Sequence, residues 1–354
     1  MNNKKPKKRK RLLFLLLFSL SISALGIWTY NYYYKNFVAP NVNTNGEEVF
    51  LYIHPSYNLD SVYKELQRLD VLENPSGFKS LAKTKKLTDS NILPGKYQIK
   101  DGMSTNSLIN HLRAGNGKME VKLRFGNPRN VEQLSGALAK EIRPDSIDIL
   151  NWLKNPDSLN KYGFNSFTIP AFFIPNTYFV NWEISTPKLM KRLAWEYKRF
   201  WNEERKLKAQ KMGLSQSEVS TMASIVYWET KKKKDMPIIA GVYVNRIKQG
   251  MPLQADPTLI FALNDYSIRR VLNTHKEIDS PYNTYKFRGL PPGPILIPPI
   301  VYIDAVLNYS KHDYLYFVAK EDFSGYSYFA KTYRQHLVYA RKFQNELNRR
   351  RVYH

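Results

Sequence analysis

The chain has 354 residues, with 54 Lys and Arg against 30 Asp and Glu, a net charge of +24 and no cysteine. Its 43% hydrophobic and 24% charged residues exclude a disordered or collagen-like chain, and the length suits two folded domains plus a small extra. Without cysteine there is no disulfide, thiolate nucleophile, iron–sulfur cluster or lipid-modified cysteine; none of the six histidines is spaced His-x-x-x-His, so neither metal nor cofactor is expected.

Residues 1–11 hold seven cations, and residues 12–34 hold no charge at all. A run of about 20 apolar residues crosses a hydrocarbon layer of about 30 Å, so 12–34 reads as a transmembrane helix. Trp28, Tyr30, Tyr32, Tyr33 and Tyr34 stand where an interfacial aromatic belt belongs. The positive-inside rule leaves 1–11 as a cytoplasmic tail and sends the rest outside the cell. A cleaved signal peptide is the alternative, but its apolar core is about 7–15 residues, shorter than this one. An extracytoplasmic chain this basic meets anionic headgroups or cell-wall carboxylates, not nucleic acid. The 25 tyrosines suit sugar and peptide ligands, since each ring has an apolar face and a polar tip.

Residues 35–46 read as a polar linker, and Val49–Ile53 as a strand. The spacing of Leu59, Val62, Tyr63, Leu66 and Leu69 predicts a helix over 58–72. A short helix over 77–87, a turn at Leu93-Pro94-Gly95, a strand at 97–99, a helix closing near Gly115 and a strand over 119–125 complete a small α+β module, 47–126. Two short helices (131–142 and 146–153), packed aromatic loops (162–180) and one long basic amphipathic helix (187–210) form a connecting region, 127–210. A second domain over 211–348 holds helices beginning at Ser215 and Asp235, strands at 314–318 and 326–329, and a closing helix over 333–347. The fold class is α+β.

Chemistry concentrates in that last domain. Ser215-Gln216-Ser217-Glu218 has the form of a capping box. At about 100° per residue Glu229 falls within about 20° of Met222, in the middle of the apolar stripe formed with Val219, Ile225 and Val226. A carboxylate there takes a raised pKa, as a general acid working near neutral pH requires, unless Arg246 or Lys231 pairs with it. The four lysines 231–234 sit at the helix end, where the dipole favours cations. Met251–Thr258 reads as an ordered loop whose polar groups between prolines form a positioned hydrogen-bonding wall, with plain turn initiation at Asp256-Pro257 as the alternative. Gly289–Ile295, with three prolines and two glycines, is a stiff loop that forms a cleft rim or a plain connection.

The blocks ASIVYWET (223–230), AGVYVNRIKQGMPLQADPT (240–258), YNTY (282–285) and GLPPGPI (289–295) together resemble the MltG/YceG-like family of membrane-anchored endolytic murein transglycosylases. The resemblance spans about 45–345. It implies that 47–126 is a LysM-like module, with LPGKYQIKDGMSTNSLINHLRAG (93–115) as its centre, and that 211–348 is a mixed α+β catalytic domain. It implies cleavage of the MurNAc–GlcNAc bond inside peptidoglycan strands to leave 1,6-anhydro-MurNAc ends, with Glu229 as acid and then base. It makes Gln254, Asn283 and Tyr285 saccharide-contacting residues, with Asp256, Thr258 and Asn245 in the same blocks, substrate-binding or structural. Relatives often carry an acid at the position of Tyr227, so Glu229 is the sole carboxylate of its block here. Cell-wall synthesis proteins are implied partners. The competing readings are a LysM-like wall-binding scaffold without activity, and a two-carboxylate hydrolase using Asp256 as well.

Overall fold

The computed structural model describes residues 6–115, 118–268 and 270–350; part of the basic tail 1–11 and the C-terminal residues 351–354 lie outside them. In chain order the elements are α1 (Pro6–Tyr33), β1 (Val49–Ile53), α2 (Leu59–Arg68), α3 (Pro75–Thr84), β2 (Gly95–Ile99), α4 (Thr105–Ala114), β3 (Glu120–Leu123), α5 (Val131–Ala139), α6 (Ser146–Lys154) and α7 (Pro156–Asn160). They continue with β4 (Tyr178–Asn181), α8 (Thr186–Phe200), α9 (Glu203–Met212), α10 (Gln216–Glu229), α11 (Met236–Lys248), α12 (Asp256–Leu263), α13 (Ile300–Leu307), β5 (Tyr316–Ala319), β6 (Ser327–Ala330) and α14 (Tyr333–Arg349). The mixture of many helices with short two-stranded sheets is the α+β class expected.

The chain divides into two compact units: one up to Val121 with Asn181–Glu183, the other Lys122–Val180 with Ile184 onward. In the first, α1 is long and apolar enough to cross a membrane, and its Leu and Phe side chains point outward all round. β1 pairs antiparallel with β2, from Val49↔Ile99 to Ile53↔Gly95. Alternation puts Leu51, Ile53, Tyr97 and Ile99 on the buried face, over Val62 and Leu66 of α2, Phe78 of α3 and Leu108 and Leu112 of α4. Asn58, Asn74 and Ser104 each accept a backbone N–H as helix caps, and Gly115 ends α4 in the left-handed region at φ 68°. The linker expectation fails in its second half. Asn41 and Val42 are 4% and 2% exposed, because the Asn41 side chain bonds the Asn74 backbone and Thr105 while Val42 joins the core.

The second unit is built around α10. Its apolar residues Val219, Met222, Ala223, Ile225 and Val226 pack with α11, α13 and the buried Trp201. The capping box closes as predicted: Ser215 N–H donates to Glu218 Oε2 (2.7 Å), and Glu218 N–H to Ser215 Oγ (3.2 Å). The long helix expected over 187–210 is two helices. Trp201 turns into the core with no exposure, and Asn202 starts α9 by accepting the Arg205 N–H. The aromatic loops over 162–180 contain a 3-10 turn, Ile169–Phe172, and β4. Asp256 does not sit in a turn but opens α12, with Pro257 in the first turn. Asp235 stands at the N-cap of α11, but its side chain makes no cap bond; the carboxylate accepts the Ser327 N–H instead. Because α8 and the 3-10 turn pack against the same core as α10, the connecting region, apart from Asn181–Glu183, falls in one compact unit with the residues from 211 onward.

The loop 289–295 is a strap across α10. Ile295 N–H donates to Ser224 Oγ (3.0 Å) on a helix face with no exposure. Gly293 is obligatory there, since a Cβ would sit 1.9 Å from the Phe167 carbonyl oxygen. Gly293→Ala is expected to cost about 3 kcal/mol, the upper range for overpacking, read by denaturant unfolding; an unchanged midpoint would show that the strap shifts freely.

Candidate active site

α10 ends on Glu229, so its last turn carries the carboxyl out of the hydrophobic core into a cleft of about 360 Å³. The cleft is lined by Glu229, Tyr243 and Arg246, by Gln254, Asp256 and Tyr285 on one side, and by Tyr316, Tyr333 and His336 on another. Tyr243, one turn before Arg246 on α11 and 1% exposed, donates its hydroxyl to Glu229 Oε1 at 2.8 Å. One carboxyl oxygen is thereby fixed, and the other is left for a proton and a ligand.

Burial pushes the Glu229 carboxyl up to about 7. The Tyr243 hydrogen bond and the Arg246 charge pull it down, while the Asp256 charge adds to the rise. Among the described residues no ion pair forms to Glu229. The Arg246 guanidinium, 7% exposed, spends Nε on the Leu315 carbonyl and Nη1 on the Leu253 carbonyl, both at 2.7 Å. Lys231 turns to the Tyr227 carbonyl and ring. The internal salt bridge that would have made Glu229 merely structural is therefore absent. The Tyr243 phenol is held well above its usual range, first by burial and then by the Glu229 carboxylate, so it stays a donor.

The structure brings Gln254, Asp256 and Tyr285 together with Glu229, and keeps Asn245, Thr258 and Asn283 out of the cleft lining. Gln254 is exposed between buried Leu253 and Ala255, in the left-handed region at φ 50°, its N–H bonded to the Thr284 carbonyl. A non-glycine residue there is strained by about 1–3 kcal/mol and persists only where its surroundings enforce it. The Asp256 carboxylate accepts the Tyr285 hydroxyl at 2.5 Å. Asn283, with no exposure, donates to the Lys276 and Ile278 carbonyls and accepts the Tyr285 N–H (3.0 Å), which fixes the loop carrying Tyr285. Thr258, equally buried, bonds the Ala255 carbonyl and the Thr284 hydroxyl, holding the Gln254 segment against 282–285. Asn245 donates to the His312 and Tyr314 carbonyls, holding the approach to β5. The loop 289–295 contributes nothing to the cleft lining.

Sequence reasoning missed Tyr243, Tyr316, Tyr333 and His336. Tyr243 had a signal: a tyrosine on the apolar face of a buried helix needs a partner for its hydroxyl. The other three had none, because β5 and α14 are distant in sequence. His336 stacks on Tyr316 (centroids 5.5 Å apart) and Tyr333 (6.0 Å). Burial and the Arg246 charge lower its pKa.

A half-buried carboxyl with a raised pKa, steadied by a tyrosine in a cleft of aromatic and amide side chains, defines a general-acid site suited to polyhydroxylated ligands. The chain belongs to the YceG-like family, whose model matches residues 51–342. It is 30% identical over 319 residues to the endolytic murein transglycosylase of Bacillus subtilis, covering 86% of this chain and 87% of that protein. It is 26% identical to the protein of that name from Streptococcus pneumoniae, over 90% of this chain but only 62% of that longer protein. The crystal structure of a putative YceG-like protein from Listeria monocytogenes superposes with a TM-score of 0.52 at 26% identity, over 82% of this chain and 99% of that one.

The raised Glu229 pKa has a stability consequence. A carboxyl at about 7 in the fold and near 4.5 unfolded contributes stability below pH 4.5, which is lost as pH rises through 7. Wild type should therefore lose up to about 3 kcal/mol relative to Glu229→Gln between mildly acid and mildly alkaline pH; the figure is a ceiling because Glu229 is half-buried and partly solvated. Parallel pH dependences of the two unfolding free energies would contradict the buried acid.

Proposed function

We propose that the chain is an endolytic murein transglycosylase acting outside the cytoplasm, anchored by α1, and that Glu229 is its sole acid and base. The observation that carries this reading is the Glu229 carboxyl, held by Tyr243 in the cleft, with its pKa raised by burial. Neutral Glu229 protonates the departing O4 of GlcNAc as the C1–O4 bond of MurNAc breaks. The C6 hydroxyl of the same MurNAc attacks C1, and the resulting Glu229 carboxylate takes that hydroxyl's proton. The product is a 1,6-anhydro end, no water is consumed and no protein nucleophile is needed. Gln254 and Tyr285 contact the sugar, while Asn283, Thr258 and Asn245 act through the segments they hold. In the first unit, two antiparallel strands bracketing two helices support a LysM-like module that grips glycan.

Asp256 in the same cleft favours one second reading, a two-carboxylate hydrolysis with water as the acceptor. The products separate the two by the mass of one water. Digestion of purified peptidoglycan should give anhydro-ended fragments with wild type and at least about a hundredfold fewer with Glu229→Gln. Reducing ends would instead establish the hydrolase, and equal yields from both proteins would move the acid elsewhere.

Tyr243→Phe gives an independent check. Removing the donor takes away an interaction that lowers the Glu229 pKa, so the alkaline limb of the kcat profile should move to higher pH. A limb that stays in place would dissociate Tyr243 from the acid.

A further inference from the structure

Helix α8 of the second unit carries, along its whole length, a surface that the catalytic reading does not use. At about 100° per residue, Lys188, Lys191, Arg192, Lys198 and Arg199 all fall within about 60° of Trp195, and the buried Leu189, Met190, Leu193 and Ala194 all lie about 100° or more away. Trp195 is 53% exposed at the centre of that face. The guanidinium carbons of Arg192 and Arg199 stand 4.8 and 5.3 Å from its ring centre, which holds the indole in place without covering it. The only acid on α8, Glu196, lies at the margin and is paired with Arg192. Among the described residues Lys188, Lys191 and Lys198 form no ion pair.

We propose that this face of α8 docks on a bilayer surface bearing anionic lipid headgroups. The cations match phosphate charge, but a cationic face alone would serve any polyanion. The exposed indole at its centre narrows the choice, because tryptophan prefers the headgroup layer, where its ring meets apolar chains and its N–H meets polar groups. A soluble phosphate polymer has no such apolar layer. The chain also supplies its own bilayer: α1 is long and apolar enough to span one, and a tethered basic face meets lipid at high effective concentration. The inference rests on the anchor reading of α1 and is independent of the chemistry at Glu229.

The test is acylation footprinting of the full chain in nanodiscs of phosphatidylcholine, with and without phosphatidylglycerol. Reactivity of Lys188, Lys191 and Lys198 should fall about fivefold in the anionic discs only, while exposed Lys64 and Lys83 of the first unit stay unchanged. The protection should vanish at about 1 M salt, where the screening length is about 3 Å. Trp195→Ala should weaken it, and Arg199→Gln serves as a second variant, with thermal unfolding of each confirming the fold. Equal reactivity in the two lipids would overturn the proposal. Protection that appears only on adding soluble polyphosphate would also overturn it, in favour of a polymer site.

Discussion

The second unit depends on one carboxyl group placed where water cannot fully solvate it. α10 is apolar over the faces that meet α11 and α13, and its final residue is an acid. Burial makes the charged form costly, so Glu229 keeps a proton at a pH where an exposed glutamate has lost it. One hydrogen bond from Tyr243 prevents the carboxyl from becoming too weak an acid and fixes which oxygen is free. The site is thus a balance between desolvation, helped by the Asp256 charge, and the Tyr243 donor, helped by the Arg246 charge.

The rest of the unit holds the walls of the cleft at a fixed distance from that group. Arg246 is informative because its charge is spent on no carboxylate. Its two N–H bonds join the Leu253 segment to the start of β5, tying opposite walls to the helix that also carries Tyr243. Thr258, Thr284 and Asn283 do the same for the segment bearing Gln254 and Tyr285. Buried polar groups that are fully bonded specify one arrangement, since any other leaves them unpaired in a medium where that is expensive. The strain at Gln254 is maintained by this framework, with buried Leu253 and Ala255 clamping the residue on either side.

The same logic separates residues that meet a ligand from residues that share their motifs. QADPT alternates outward and inward: Gln254 and Asp256 are exposed, whereas Ala255, Pro257 and Thr258 are buried. In YNTY only Tyr285 reaches the cleft lining, and Asn283 turns back to bond four backbone groups behind it. A motif read as a linear string mixes the two kinds, because backbone direction, and not residue type, decides which side chain points where.

The sequence by itself determined the local features. A charge-free run of apolar residues made α1, a capping box started α10, and helical spacing alone put Glu229 on the apolar stripe. These depend on neighbours within a turn or two, so composition and spacing suffice. Only the tertiary structure decided that Glu229 meets Tyr243 instead of Arg246, that the buried Trp201 breaks the long basic helix, and that Tyr316, Tyr333 and His336 close the cleft. Those pairings bring together segments up to about a hundred residues apart, from Glu229 to His336. Each segment alone could satisfy its polar groups in several ways, and packing around α10 leaves one.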